Sequence, residues 1–454
     1  MAEKKNFTRI GERGIGNIRS QVAQSMSYFK GSLYLGVTHP KGEGPDDAAR
    51  ILRYDIDRGE WETAYQSPLV EADVDAVVQD VYRGDMNSTL GTLEEGVEMV
   101  PQYRGFRCMT QFTKKGSDKP LLFASTLSHW GSQLLVSEDG ETFDVACEPG
   151  LGNPDVLSFR TIISFNNKLF VSPVGTVKEG VMDRMFGDVA KLYVSDDPMG
   201  GQWEEAIPPG FGDPSNLSVF CMAVFDDHLY AGTGNPTRGF QLWKTKAEGR
   251  APYQWTQVLT DGGFRFNDNE FVASMSVMNG ELYVGSGIPG LGYDKAYDVG
   301  PAAAELFRVR ADDSWDLLVG APRFTPDGFK VPLAGMGPGF DDPENSALWS
   351  MATHDDTLYV GTHHCGSFHD CLGGKEVIGG GFQLWSSRDG EAWTAQTMDG
   401  FDDRFSTGVR TLVSTPNGLF LGTSTHREVE KIWARRTGGQ YQPELGGLCI
   451  WLGK

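Results

Sequence analysis

The stretch VFCMAVFDDHLYAGTGNPTRGFQLWKTKAEGRAPYQWTQVL, residues 219–259, carries the pattern that decides the fold. It contains four short runs rich in aromatic and β-branched residues, which are VFCMAVF, HLYAGT, FQLWKT and QWTQVL. Gly, Asn, Pro and Asp residues separate the runs, and the pair Asp226-Asp227 is typical of a tight hairpin turn. The stretch therefore predicts a small sheet of four antiparallel strands.

The same four-strand pattern recurs along the chain. Its second strand is the clearest marker, with copies at residues 33–36, 122–124, 169–171, 229–232, 282–285, 358–361 and 419–422. After six of the third strands, an aromatic residue stands near the start of a fourth strand: Trp61, Phe143, Trp203, Trp255, Trp315 and Trp393. Repeats of this length, each a small antiparallel sheet, predict an all-β fold of the β-propeller type.

The N-terminus supplies the strand that the last repeat lacks. The chain ends after the third strand of the seventh repeat, while residues 6–11 have a strand-like composition with Phe7 where other repeats have Trp. We predict one domain over residues 1–454, a seven-bladed β-propeller closed by strand 5–11, which leaves no open sheet edge. The predicted blade cores are residues 19–66, 106–148, 158–208, 218–260, 271–320, 347–398 and 409–454.

Composition restricts the partners of the chain. A formal net charge of −21 argues against nucleic acid and anionic membrane surfaces, because phosphate binding needs a basic surface. The N-terminal sequence MAEKKNFTRIGERG has no apolar core of a signal peptide, and no apolar run is long enough to span a membrane. Together with six scattered cysteines, these features predict a cytoplasmic protein with reduced thiols.

Long insertions indicate which face of the propeller carries function. Turns between the first and second strands, and between the third and fourth, lie on one face; the other loops lie on the opposite face, here called the top face. The long insertions fall mostly on the top face, at residues 67–105, 173–190, 287–304, 321–346, 363–380 and 424–446. Long loops gathered on one rim of a rigid scaffold commonly form a site, so we expect the functional site there.

One position of the innermost strands carries several arginines. Counted back from the turn aromatic, this position holds Gln24, Arg107, Arg160 and Phe220, and the later repeats have Ala273, Trp349 and Arg410 there. Arg107, Arg160 and Arg410 predict a cluster near the mouth of the central funnel that binds a carboxylate, phosphate, sulfate, halide or phenolate, with Trp349 beside it. The alternative is a set of salt bridges between blades, which this acidic chain can supply.

Histidines and cysteines give further candidates. The segment HHCGSFHDC holds the possible metal ligands His363, His364, Cys365, His369 and Cys371, although its spacing matches no standard zinc motif. A polar rim with thiols or a local disulfide is the alternative. A structural calcium or a zinc ion is left open as cofactor, and no motif for an organic cofactor is present. Tyr103, His364 and His426 are the candidates for acid–base catalysis.

Two families resemble parts of the chain. SEDGETF (137–143) and SRDGEAW (387–393) resemble the Asp-box of sialidase-like propellers, a motif that builds a hairpin turn. The pattern G-F-G-D-P-x-N, L-Y-x-G-T-x-N-P and G-F-Q-L-W-K-T is similar to the propeller part of the alkyl–aryl bond-forming cyclases of cylindrocyclophane-type biosynthesis. That resemblance implies aromatic alkylation or cyclisation in secondary metabolism. The calcium-binding repeats of those cyclases have no counterpart in these 454 residues.

These observations predict a biosynthetic enzyme with a funnel site on the top face, acting on a small anionic or phenolic organic molecule. The alternatives are a non-catalytic propeller that binds a ligand or a protein, and a sialidase-like glycan hydrolase. The reaction class stays open between a carbon–carbon bond-forming transferase or cyclase and a hydrolase. The sequence does not fix the oligomeric state.

Overall fold

Short antiparallel strands make up most of the regular structure of this chain, so the fold is mostly β. The computed structural model describes residues 5–39, 44–71, 79–80, 98–178, 181–183, 185–290, 292–294, 296–372, 378–441 and 446–454. Parts of the predicted insertions 67–105, 173–190, 287–304, 363–380 and 424–446 lie outside the described residues. Within the described ranges, every helix is too short or too polar to cross a bilayer.

The strands form repeated four-stranded units, in which each strand pairs antiparallel with the next. We number the units 1 to 7 along the chain and name their strands inner, second, third and fourth. The strands are Val22–Phe29, Ser32–Thr38, Arg50–Asp55 and Glu60–Gln66 in unit 1; Gly105–Phe112, Leu121–Leu127, Leu134–Ser137 and Asp144–Val145 in unit 2; Ser158–Phe165, Lys168–Val174, Tyr193–Ser195 and Glu204–Glu205 in unit 3; Ser218–Phe225, His228–Gly234, Leu242–Thr245 and Thr256–Leu259 in unit 4; Phe271–Met278, Glu281–Gly287, Leu306–Val309 and Trp315–Val319 in unit 5; Asn345–His354, Thr357–His364, Leu384–Ser387 and Thr394–Thr397 in unit 6; and Ser406–Thr415, Gly418–Thr425, Ile450–Gly453 and the N-terminal Phe7–Arg9 in unit 7.

The remaining elements lie in the connections. Helices cover Asp261–Phe264, Gly366–Leu372 and Arg427–Thr437, and short 3-10 turns cover Pro45–Asp47, Pro149–Gly152, Pro198–Gly200, Pro209–Gly212 and Phe266–Asp268. Leu69–Glu71 pairs with Met99–Pro101, and Arg323–Thr325 pairs with Gly328–Lys330. Thr176–Lys178 pairs with Val181–Asp183, which in turn pairs with Gln79–Asp80. The insertions that follow unit 1 and lie within unit 3 therefore meet each other.

The hydrophobic core is divided among the contacts between consecutive units. The clusters combine buried side chains of units 1 and 2, 2 and 3, 3 and 4, 4 and 5, 5 and 6, and 6 and 7. A further cluster joins the two ends of the series, because Leu33 and Leu35 of unit 1 pack with Phe420 and Ile450 of unit 7. Each unit buries apolar side chains against the neighbouring unit on each side. Because every core cluster is shared in this way, we expect a single unit to be unstable on its own.

Polar and backbone contacts also connect the units. Two serine hydroxyl groups donate to the next unit: Ser25 Oγ donates to the carbonyl of Phe106 at 2.7 Å, and Ser172 Oγ donates to that of Val219 at 2.9 Å. Backbone bridges join the other pairs of units at Leu127 and Ser158, Gly234 and Phe271, Gly287 and Ala347, His363 and Gly408, and Val22 and Ser424. The last of these bridges connects unit 1 with unit 7.

The loop motif GFGDPSN has a structural role in unit 4. Asp213 accepts hydrogen bonds from the backbone N–H of Ser215 at 3.0 Å and from Gln241 Nε2 at 2.8 Å. Phe211 stacks on Trp243 with ring centroids 5.0 Å apart. The motif GFDDPEN repeats this arrangement with Asp342, Glu344, Gln383, Phe340 and Trp385. The carboxylates therefore cap the chain that enters the inner strand, which favours capping over cation binding.

Part of the insertion 321–346 lies beside the fourth strand of unit 5. The backbone N–H groups of Leu333 and Ala334 donate to the carbonyls of Leu317 and Leu318, each at 3.0 Å. This part of the segment covers the outer edge of that strand, while Asp342 farther along contacts His364. An exposed strand edge invites pairing with another chain, so a covering segment protects it.

Candidate functional site

A β-bulge occurs at the same place in every inner strand. The register between the inner and second strands skips a residue at the same step in each unit, and the residues skipped there are Gln24, Arg107, Arg160, Phe220, Ala273, Trp349 and Arg410. Units 6 and 7 have a second skip, at Ser346 and Thr407. A bulge leaves one residue outside the hydrogen-bonded ladder and turns its side chain to a new direction. These are the residues that the sequence alignment placed at one level.

Five of the seven bulged residues line one cavity of about 130 Å³. Its lining includes Gln24, Arg107, Arg160, Trp349 and Arg410 from the bulges. The other lining residues are Val22, Thr38, Leu127, Met185, Phe271, Ile288, Pro289, Gly290, Ala347, His363, Ser424 and His426. The structure therefore brings together all four residues that the sequence proposed for substrate binding; whether they bind a substrate stays a prediction.

Aromatic rings orient two of the arginines. The guanidinium carbon of Arg160 lies 3.3 Å from the ring centroid of Phe220, which stacks on Phe271 at 4.1 Å. The guanidinium carbon of Arg410 lies 5.1 Å from the ring centroid of Trp349. Such cation–π contacts hold the plane of a guanidinium group while its N–H groups remain able to donate in that plane.

Three permanent positive charges lie close together in this cavity. Arg107 is only 7% exposed, and Arg160 and Arg410 are half-buried. Each of the three arginines also has further interactions within the protein. A ligand with an anionic oxygen would add charge-assisted hydrogen bonds to these guanidinium groups.

Two histidines line the cavity beside Arg410. The Nδ1 atom of His363 is hydrogen-bonded to Ser346 Oγ at 3.0 Å, and that of His426 is hydrogen-bonded to Thr407 Oγ1 at 2.8 Å. The two imidazole centroids are 6.3 Å apart. Burial, together with the nearby His426, His364 and Arg410, lowers the pKa of His363 to about 3. At neutral pH the imidazole of His363 is therefore neutral and a weak base.

The other proposed catalytic residues lie away from the cavity lining. Tyr103 is 1% exposed and donates its hydroxyl to Gln133 Oε1 at 2.7 Å, and burial raises its pKa. His364 bonds through Nε2 to Asp342 at 3.2 Å and accepts at Nδ1 from the N–H of Gly366. Both side chains are buried and hydrogen-bonded within the fold. Of the three candidates, only His426 lines the cavity.

The segment from His363 to Cys371 is spread over separate contacts. His369 Nδ1 lies 2.5 Å from Glu344 Oε2, and Cys371 Sγ donates to the carbonyl of Val429 at 3.2 Å. Cys365 Sγ donates to Ser346 Oγ at 3.3 Å, and no disulfide joins it to Cys371. Among the residues that the structure describes, no three His, Cys, Asp or Glu side chains come together as ligands of one metal ion.

No protein-family model matches the sequence, and no curated protein matches it. A GH74 xyloglucanase from Xanthomonas campestris is similar in structure, with a TM-score of 0.48 and 13% identity over 93% of this chain. The chain covers 52% of that xyloglucanase, about half its length. The PQQ-bound aldose sugar dehydrogenase from Streptomyces coelicolor has a TM-score of 0.40 and 14% identity, with 100% of this chain and 99% of that chain covered. Both are β-propeller proteins. Likeness at this level carries no argument about the chemistry of the cavity.

Sequence reasoning placed the arginines but missed the apolar side of the cavity and the role of His363. His363 appeared as a possible metal ligand, whereas the structure places it against Trp349 with centroids 4.5 Å apart. Phe271 and Ile288 lie at the ends of strands, and their contribution depends on how two neighbouring units meet. A signal for His363 did exist, because it follows the second strand of unit 6 at the end that faces the top loops.

Proposed function

We propose that the units form one closed, seven-bladed β-propeller, with the N-terminal strand as the outer strand of the last blade. Phe7, Thr8 and Arg9 pair with Gly453, Leu452 and Trp451, which supports this closure. The bridge from Val22 to Ser424 and the shared apolar cluster of units 1 and 7 support it as well. In such a ring, the inner strands surround a central channel, and the bulged residues form its upper rim.

Within that ring, the protein is an enzyme that binds a small anionic or phenolic organic molecule in the cavity on the top face. The observation that carries this proposal is that Arg107, Arg160 and Arg410, from three different units, line one cavity together with Trp349. Several guanidinium groups around one small space are suited to a carboxylate, a phosphate or a phenolate. A non-catalytic binding protein would need the same cation cluster but no acid–base group.

His426 supports an enzyme over a simple binding protein, because it places an imidazole, the usual acid–base group, in the lining with the arginines. His363, whose pKa is lowered to about 3, is neutral and too weak a base to take a proton from a phenol. A phenol held here would give its hydroxyl proton to solvent water, and the guanidinium groups would stabilise the phenolate oxygen that forms. The O–H bond breaks, the proton leaves on water, and the anion remains at the arginines.

A thermal-shift screen with small anions and phenols, followed by mass spectrometry of incubated hits, tests the proposal. We expect stabilising small molecules and turnover of at least one of them. Arg107→Lys keeps the positive charge but loses the planar guanidinium group with its paired N–H donors. It should therefore weaken ligand binding about ten-fold or more while the protein still folds. Arg310→Lys, in the outer part of unit 5, is the matched control and should bind like the unchanged protein.

The proposal fails if only macromolecules stabilise the protein, or if Arg107→Lys lowers thermal stability while ligand binding stays unchanged. The second result would assign Arg107 to a structural ion pair between blades. Binding without turnover of any hit would favour a non-catalytic propeller.

A further inference from the structure

The bulged residues divide into two arcs of opposite chemistry. In the proposed ring order, units 7, 1, 2 and 3 contribute Arg410, Gln24, Arg107 and Arg160, while units 4, 5 and 6 contribute Phe220, Ala273 and Trp349. The bulged residues on one side of the rim are therefore cationic and polar, and those on the other side are apolar. Five of the seven line the cavity, the exceptions being Phe220 and Ala273, and Val22, Leu127 and Met185 add apolar lining on the cationic side. A cavity with two such sides is suited to a ligand that is itself amphipathic.

The junctions between the arcs are built alike. At one junction the guanidinium carbon of Arg160 lies 3.3 Å from the ring centroid of Phe220, and at the other that of Arg410 lies 5.1 Å from the ring centroid of Trp349. Each aromatic ring gives its arginine a cation–π contact, and the guanidinium N–H donors are the groups that would bind a polar group of the ligand. Arg107 and Gln24 lie between these two arginines, at the middle of the cationic arc.

The part of the cavity wall that faces Arg107 in the proposed ring is apolar. In a ring of seven units, unit 5 lies across from units 1 and 2. Its bulged residue, Ala273, is the smallest of the set and packs beside Phe271, and the cavity wall from this unit is made by Phe271, Ile288, Pro289 and Gly290. Phe271 and Ile288 are 3% and 2% exposed, so their positions are fixed by packing before any ligand enters.

We propose that the ligand is an amphipathic anion of about one ring in size, with its anionic oxygen at Arg107 and its apolar body against the wall of unit 5. This inference rests on the proposed function and adds the class and the orientation of the ligand. The cavity of about 130 Å³ is close to the ~150 Å³ that holds a benzene-sized molecule in a protein core. A carboxylate or phenolate on a single ring satisfies both arcs at once.

Titration calorimetry of the full chain with three probes tests the inference. Benzoate has both the anionic carboxylate and the apolar ring, acetate has only the carboxylate, and benzyl alcohol has the ring without a charge. We expect benzoate to bind at least about ten-fold more tightly than acetate, because its ring leaves water for an apolar wall. We also expect benzyl alcohol to bind at least about ten-fold more weakly than benzoate, because it lacks the charge-assisted bonds.

A substitution at the apolar arc gives a second measurement. Ala273→Phe fills the space in front of the unit 5 wall, so it should abolish the preference for benzoate and leave acetate binding within about two-fold. Ala311→Phe, at an exposed turn of the same unit, is the matched control and should keep the preference. If Ala273→Phe does not fold, the three probes on the unchanged protein still decide.

The outcomes separate the two proposals. Equal affinity for acetate and benzoate would overturn the apolar arc and leave anion binding intact. Equal affinity for benzyl alcohol and benzoate would overturn the assignment of the head group to the arginines. If no anion binds, the proposed function fails and this inference fails with it.

Discussion

At the scale of single residues, His363 makes the stability of the folded protein depend on pH. Burial and nearby positive charge lower the pKa of His363 from 6.5 to about 3. In the unfolded chain the imidazole takes up its proton near pH 6.5, whereas the folded protein resists protonation down to about pH 3. Stability from this group is therefore complete above pH 6.5 and falls as the pH is lowered.

We expect His363→Gln to flatten the pH dependence of unfolding between pH 6.5 and 5. Each extra proton bound by the unfolded chain reduces the free energy of unfolding by about 1.4 kcal/mol per pH unit at most. His39, whose pKa burial lowers to about 4, contributes in the same direction, so part of the slope should remain. Urea unfolding at several pH values measures it, with His228→Gln in a surface turn as control. An unchanged slope in His363→Gln would show that this imidazole is hydrated.

At the scale of elements, the turn between the third and fourth strands of unit 2 depends on one glycine. Asp139 Oδ1 accepts hydrogen bonds from the N–H groups of Glu141 and Thr142, both at 2.8 Å, and these bonds lower the pKa of the carboxyl group. Gly140 has φ +83°, and a Cβ there would lie 1.9 Å from the hydroxyl oxygen of Tyr34 in unit 1. The turn is thus fixed within its own unit and packed against the preceding one.

We expect Gly140→Ala to destabilise the protein more than Gly116→Ala does. Gly116 has the same φ of +83° but open space where a Cβ would be, so its substitution measures the backbone cost alone. The clash with Tyr34 should add about 1–3 kcal/mol to that cost. Denaturant unfolding of both variants checks the difference. Equal losses would mean that Tyr34 moves away freely.

Sequence periodicity predicted these elements well because each strand and turn is decided locally. Hairpin pairs such as Asp226-Asp227 adopt the positive φ that their type allows, and the aromatic runs are buried. The bulges could not be recognised, because a skipped residue depends on the partner strand and leaves no mark in composition. The alignment still placed Arg107, Arg160 and Arg410 at one level, since the bulge occurs at the same step in each unit. The pairing of Leu333 and Ala334 with the edge of unit 5 was not foreseen, because it depends on which strand edge the fold leaves accessible.

At the scale of the whole molecule, the N-terminal strand and the C-terminal strand of unit 7 pair with each other. The strand Phe7–Arg9 covers the edge of Ile450–Gly453, and Phe7 lies 5.3 Å from Phe401 between ring centroids. Removing residues 1–12 would expose that edge and the rings beneath it. We expect a loss of about 2–5 kcal/mol in unfolding free energy and a tendency to aggregate. A chain shortened by residues 1–4 keeps the strand and is the control in a thermal and light-scattering comparison. If the longer deletion unfolds at the same temperature as the control, the ends do not close the ring.

The bulge in each inner strand has a consequence for how the site can change. A residue outside the ladder contributes no hydrogen bond to its sheet, so replacing its side chain leaves the strand pairing of that unit as it was. Gln24 and Ala273 are therefore the rim positions most open to exchange, whereas Trp349 also contacts His363 and Arg410. Randomising Gln24 and Ala273 together would give a library in which recognition varies while the scaffold stays constant.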